Sequence, residues 1–189
     1  MAKWLLMLVV APWLALAQTA EWKPPRVKVK AGVVYQSPKD ILVLVTLDNS
    51  NEGCRAVMVN EVFFAYPSDG PITLLDFEIT DASGRQMTRT HKSGGTRPRF
   101  VPGDLMTLNC GVQYGWYVSL SRFDWAYPLE AGRYRLRARV ENRMHEYFAA
   151  RPKELERIQS MTGRSEEEIK ALLRDFSATS DEVTFAVGG

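Results

Sequence analysis

Residues Gly132–Val140 read Gly-Arg-Tyr-Arg-Leu-Arg-Ala-Arg-Val, and their strict period of two constrains the fold more than any other stretch. Side chains on a strand alternate between its faces. Tyr134, Leu136, Ala138 and Val140 therefore point one way, and Arg133, Arg135, Arg137 and Arg139 point the other. Such alternation belongs to an antiparallel strand with one face on a core and the other in water. Ala131-Gly132 supplies the tight turn that leads into it.

Other segments carry strand signals at roughly ten-residue spacing. Arg26–Tyr35 alternates Val27, Val29 and Ala31 with basic residues, which predicts an edge strand guarded by Lys28 and Lys30. Ser37-Pro38-Lys39-Asp40 is turn chemistry. Ile41–Leu47 is apolar on both faces, as a central strand packed on two sides would be. Asp48–Gly53 reads as a polar loop, and Ala56–Tyr66 as a further strand that Pro67-Ser68-Asp69-Gly70-Pro71 ends. Thr73–Thr80 sends Leu75, Phe77 and Ile79 inward, and Asp81-Ala82-Ser83-Gly84 predicts a hairpin into Arg85–Thr90. His91–Arg99 reads as a mobile loop, Pro102-Gly103-Asp104 turns into a strand ending near Cys110, and an aromatic segment covers Gly111–Tyr127. About seven strands at this spacing predict an all-β antiparallel sandwich.

The helical exception is a predicted hairpin, 152–176, inserted before the last strand, Glu182–Val187. Pro152 suits a first helical position, and Leu155, Ile158 and Met161 make an apolar stripe. Gly163 suits the end of that helix. Ser165 with Glu168 forms a capping box ahead of Ile169, Leu172, Leu173 and Phe176.

The first seventeen residues read as a secretory signal peptide. Lys3 is a short positive n-region, Leu5–Leu16 is too short to span a bilayer, and Ala15-Leu16-Ala17 is a small-x-small cleavage site. The mature chain is expected to start at Gln18, with 18–25 as a tether stiffened by Lys23-Pro24-Pro25 and one domain over 26–189. No Cys follows the cleavage site and no second long apolar run exists, so neither a lipid anchor nor a membrane span is expected. The expected location is secreted or periplasmic. Without Lys3, 23 basic side chains face 22 acidic ones, a balance that gives no reason to expect nucleic acid as a partner. Cys54 and Cys110 are the only cysteines. In an oxidising compartment they form one disulfide, closing a loop that the chain-entropy model values at about 4 kcal/mol. The alternative is two free thiols.

Leu129-x-x-Gly132-x-Tyr134 resembles the tyrosine corner of immunoglobulin-like and fibronectin-type-III-like sandwiches. The resemblance implies that Tyr134 hydrogen-bonds backbone upstream of it. Antibody-type domains carry a Cys two residues later, where this chain has Leu136, so their inter-sheet disulfide is missing. Val101-Pro102-Gly103-Asp104, Val118-Ser119-Leu120-Ser121-Arg122-Phe123 and Leu129–Leu136 together resemble small bacterial secreted sandwich domains. They are also similar to the inhibitor-like domain that accompanies deuterolysin-type metallopeptidases. The implied fold is an Ig-like sandwich, and a peptidase-inhibitor-like role is one functional alternative.

No enzyme signature stands out. His145-Glu146 is followed by Ala149 where a zinc-binding His-Glu-x-x-His would need its second His. There is no Gly-x-Ser-x-Gly elbow or phosphate-cradling loop, and Cys110 has no evident His and Asx partners. A non-catalytic module without metal or cofactor is expected. Its candidate surfaces are the arginine ladder Arg133, Arg135, Arg137 and Arg139, and the loop aromatics, with Trp116 and Trp125 the ones expected in solvent. The ladder spans roughly 20 Å and suits acidic partners, unless Asp76 and Glu78 on an adjacent strand offset it. The aromatics suit a protein interface or stacking on sugar rings. The helical hairpin reads as a lid over the sandwich or as a docking element. A protein partner is expected first, and a glycan is the alternative.

Overall fold

The computed structural model describes residues 26–37, 40–61, 73–90, 105–121 and 126–188. The signal peptide, the tether, the loop His91–Arg99, Pro102-Gly103-Asp104 and Trp125 lie outside these residues. The chain is mostly β, with antiparallel sheets and a few short helices.

β1 (Lys28–Ser37), β2 (Asp40–Asp48) and β6 (Gln113–Ser119) form one sheet in the order β1-β2-β6. β3 (Val57–Asn60) and β5 (Leu105–Leu108) make a two-stranded ribbon. β7 (Gly132–Asn142) is the centre of the third sheet. β4 (Thr73–Asp81) lies on one side of it, and β8 (Phe176–Thr179) and β9 (Val183–Val187) share the other. β1 passes close to β7, β8 and β9, so the two larger sheets face each other. Their inward residues form one core in which Val43, Val45, Leu47, Leu75, Ile79, Leu136, Ala138 and Val140 are fully buried.

The alternation of β7 holds along its whole length: Tyr134, Leu136, Ala138 and Val140 are buried and the four arginines exposed. Tyr134 donates its hydroxyl to the Glu130 carbonyl at 3.0 Å and accepts from the Glu130 N–H at 3.1 Å. A Cβ at Gly132 would come within 4 Å of the Tyr134 ring, so the turn residue and the tyrosine pack as a unit. The inward register of β7 ends in a polar residue. Asn142 accepts from the Thr73 hydroxyl at 2.8 Å and donates to the carbonyls of Met58 and Arg174. Thr73 and Asn60 exchange two further bonds at 2.9 Å. This buried network ties β3, β4 and β7 together, because polar groups removed from water must find partners.

Three helices, not two, follow β7. α1 (Met144–Ala149) has no cap from its own preceding residue. Asp175, just before β8, accepts from the His145 and Glu146 N–H groups at 2.7 and 3.1 Å instead. α2 (Pro152–Thr162) begins on Pro152 and ends on Gly163 at φ 66°, and α3 (Glu166–Leu172) has the complete Ser165–Glu168 capping box. Leu155, Ile158, Ile169 and Leu173 join Met144, Phe148 and Met58 in a second core, so the helices cover the β3–β5 ribbon. The predicted boundaries of the helical segment move at both ends. Helix starts at Met144, since an Asp thirty residues away supplies its cap, and Phe176 belongs to β8, which a helical reading of 152–176 hides. Met161 is 56% exposed rather than part of the stripe. Arg85–Thr90 forms no strand; it meets β4 in one backbone bridge, Thr80–Gln86, and through the Arg85–Asp81 and Arg89–Asp76 ion pairs. No helix among the described residues is long and apolar enough to cross a membrane.

Candidate binding surface on the arginine-bearing sheet

β7 presents Arg133, Arg135, Arg137 and Arg139 on one face, each about 6.7 Å from the next. The register determines what each arginine meets. Arg139 stands between Asp76 and Thr179, and Arg137 opposite Glu78. The expected acidic neighbours are therefore in place, but the ion pairs are distributed differently. Arg137 reaches Glu182 at 3.4 Å, and Asp76 is held at 3.3 Å by Arg89 from the segment after β4. Cross-strand charges of opposite sign still stabilise that half of the stripe through space.

The other half has no acidic neighbour in register. Arg135 lies between Thr80 and Thr184, and Arg133 faces Ala186. Neither arginine makes an ion pair among the described residues. Two guanidiniums with five N–H donors each, flanked by hydroxyls, form an exposed array suited to carboxylates or other oxyanions. Asp81, which pairs with Tyr134 at this end of β4, is already committed. It accepts from the Ser83 hydroxyl at 2.6 Å, from the N–H groups of Ser83 and Arg85, and from the Arg85 side chain at 3.0 Å. The Ser83 hydroxyl is the main reason that its pKa is held at about 2. Four donors fix this carboxylate in the β4 turn and direct it to its own loop and to Arg85 rather than to Arg133 or Arg135.

The aromatic segment divides differently from the expectation. Trp116 is half-buried and packs against the core, because Val45 opposite it on β2 faces inward. Tyr127 is buried and donates to the Phe77 carbonyl at 2.8 Å. Tyr114 donates to the Glu61 carbonyl at 2.8 Å, and burial raises its pKa. Among the described aromatics of this segment, the one that enters solvent is Tyr117, 62% exposed and one position beyond Trp116. Parity along β6 is the signal that could have found it, since Val118, Trp116 and Tyr114 share one face and Tyr117 the other.

Cys54 and Cys110 are bonded, with Cα atoms 5.6 Å apart. The bridge joins the loop after β2 to the β5–β6 turn. Beside it the buried Asn49 donates to the carbonyls of Arg55 and Leu108. A cleft of about 390 Å³ opens between the ribbon and α2, lined by Met58, Leu105, Ile158, Met161 and Arg164 among others. No group of three or more metal-ligating side chains suited to an ion occurs among the described residues. No protein-family model matches the chain, and no curated protein matches it.

Proposed function

We propose that the chain is an exported, non-catalytic binding module of the Ig-like sandwich type, engaging an acidic protein surface in the cell envelope or outside the cell. The observation that carries this reading is the uneven neutralisation of the arginine stripe. Arg137 and Arg139 have acidic neighbours from β4 and the β8–β9 turn, whereas Arg133 and Arg135 have hydroxyls and a methyl group. A stripe that served only as a solvated sheet face would gain from acids along its whole length. Guanidiniums left open at one end keep their bidentate capacity for a partner.

The fold assignment draws support from two sheets facing across a common core and from the Tyr134–Glu130 bonds, which match the geometry of a tyrosine corner. Export draws support from the Cys54–Cys110 bond, since disulfides persist in oxidising compartments. The glycan alternative loses Trp116, which is turned toward the core. Site-specific photo-crosslinking tests the reading in the cell envelope. A probe at Ala186, beside Arg133, is expected to give a discrete protein adduct that a probe at Thr179, beside Arg139, does not. Equal labelling from both positions, or none from Ala186, contradicts it.

A further inference from the structure

The middle rows of the outward face of the β1-β2-β6 sheet are apolar, between Lys28, Lys30 and Asp48 at one end and Asp40 at the other, whereas the arginine-bearing sheet is charged along its length. Leu42 and Leu44 of β2 lie half-exposed at its centre, and Tyr35 and Tyr117 are 53% and 62% exposed at its edges. Tyr35 reaches this face because of a bulge: the register shifts between Val33 and Tyr35, which turns Tyr35 outward opposite Leu42. Without the extra residue its parity would match inward Val33.

Each row across the sheet is lopsided. Gly32 and Tyr117 flank Leu44, with the small residue on β1 and the large one on β6. In the next row Tyr35 and Ser119 flank Leu42, with the sizes reversed. On the other side Lys30 stands across Thr46 from Gly115. A Cβ added at Gly32 would meet nothing within 4 Å, so bare backbone and open space lie beside Leu44.

We propose that this face docks on the same face of a second copy of the chain. A two-fold axis parallel to β2 lays β6 of one copy over β1 of the other and keeps the rows in step. Tyr117 then enters the gap over Gly32, Tyr35 meets Ser119, the Lys30 stem meets the Leu44 side chain that lies over Gly115, and Leu42 stacks on its counterpart. This is the self-complementarity that an isologous interface requires, in which residue i meets j and j meets i. Two sheets packing about 10 Å apart with their strand directions nearly aligned interdigitate in this way. Charge does not oppose the arrangement: Lys30 and Asp48 pair within each copy at 2.6 Å, and Lys28, which stands across Asp48 from Gln113, meets the neutral Gln113 of the other copy. Strand spacings put the face at roughly 14 Å by 30 Å, or about 420 Å² of projected area per copy. Two such faces fall short of the roughly 1,600 Å² of a standard interface, so the dimer is weak and concentration-dependent.

Sedimentation velocity of the purified protein from about 5 to 500 µM tests the proposal, a range chosen for a small interface. A monomer–dimer equilibrium is expected within this series. Gly32→Val is expected to weaken it at least tenfold without lowering the thermal melt, because the new side chain enters space that is open in the monomer and Val favours a strand. Tyr117→Ala, at an exposed position, is expected to weaken it as well. Combining Tyr117→Ala with Gly32→Val is expected to give tighter association than Gly32→Val alone, since the intruding side chain then faces a vacated site. A wild-type protein that stays monomeric throughout overturns the proposal. So does a dimer that tolerates both Gly32→Val and Tyr117→Ala, or a double variant no tighter than Gly32→Val.

Discussion

The two larger sheets turn opposite chemistries to the outside. On β7 every second residue is an arginine, so the wet face is charged and the dry face apolar. On β2 the outward residues are Leu42, Leu44 and Thr46, nearly as apolar as the inward Ile41, Val43 and Val45. The strands obey the same geometry, yet only the first declares from sequence which side is solvent. Alternation identifies an exposed face when its residues are polar. An apolar run says only that a strand is present, and its packing must be found in three dimensions.

The largest effect expected from testing this contrast lies on the tyrosine-bearing side, where Cys54–Cys110 fastens the end of β2 to the β5–β6 turn. Cys54→Ser with Cys110→Ser opens a long loop and is expected to lower the unfolding free energy by about 4 kcal/mol in urea titrations. Next comes a matched pair of leucines. Leu136→Ala, in the core beneath the arginines, is expected to cost about 2–5 kcal/mol, and Leu44→Ala less than half as much, because its site is already partly in water. Equal losses would mean that the outward face of β2 is covered.

How far the fold was legible follows from the same contrast. Gly132–Val140 specified its strand and its faces, because turn and alternation agree, and Tyr134 bonds to the backbone of Glu130 upstream. Pro152, Gly163 and the Ser165–Glu168 box each hold as helix signals, since capping is local chemistry. What stayed hidden was nonlocal. The cap of α1 comes from Asp175, the strand at Phe176 follows directly on a helical pattern, and the bulge at Val34 depends on pairing with β2. The arginine stripe was readable as residues. Its division into neutralised and open halves was not, because Glu182, Arg89 and Thr184 reach it only through the register of β4 and β9. Trp116 was misassigned for a related reason: a rich aromatic segment reads as a cluster, whereas a strand sorts it into two faces.

Tyr134→Phe probes the legible side at smaller amplitude. It removes one hydroxyl that donates to and accepts from Glu130, and is expected to cost about 1–2 kcal/mol with the core unchanged. Acid titration gives the smallest effect, at the turn that closes β4. Asp81 has a folded pKa of about 2 against an ordinary 3.8, so its stabilisation is fully present above about 3.8 and is lost as pH falls through about 2. Carboxyl chemical shifts of Asp81 should follow that midpoint, and the Ser83 and Arg85 amides should exchange faster below it. An Asp81 titrating near 3.8 would show that the turn does not hold it.

The binding reading rests on position along the stripe rather than on total charge, and two double variants of identical net charge separate these. Retention on a polyglutamate resin, measured as the salt concentration needed for elution, is the direct measurement. Arg133→Ser with Arg135→Ser is expected to elute at much lower salt than the parent protein, because it removes the open guanidiniums. Arg137→Ser with Arg139→Ser is expected to elute close to the parent, because those side chains already face Glu78, Asp76 and Glu182. Equal losses from the two pairs would reduce the stripe to net charge and contradict the assignment of Arg133 and Arg135 as the binding end.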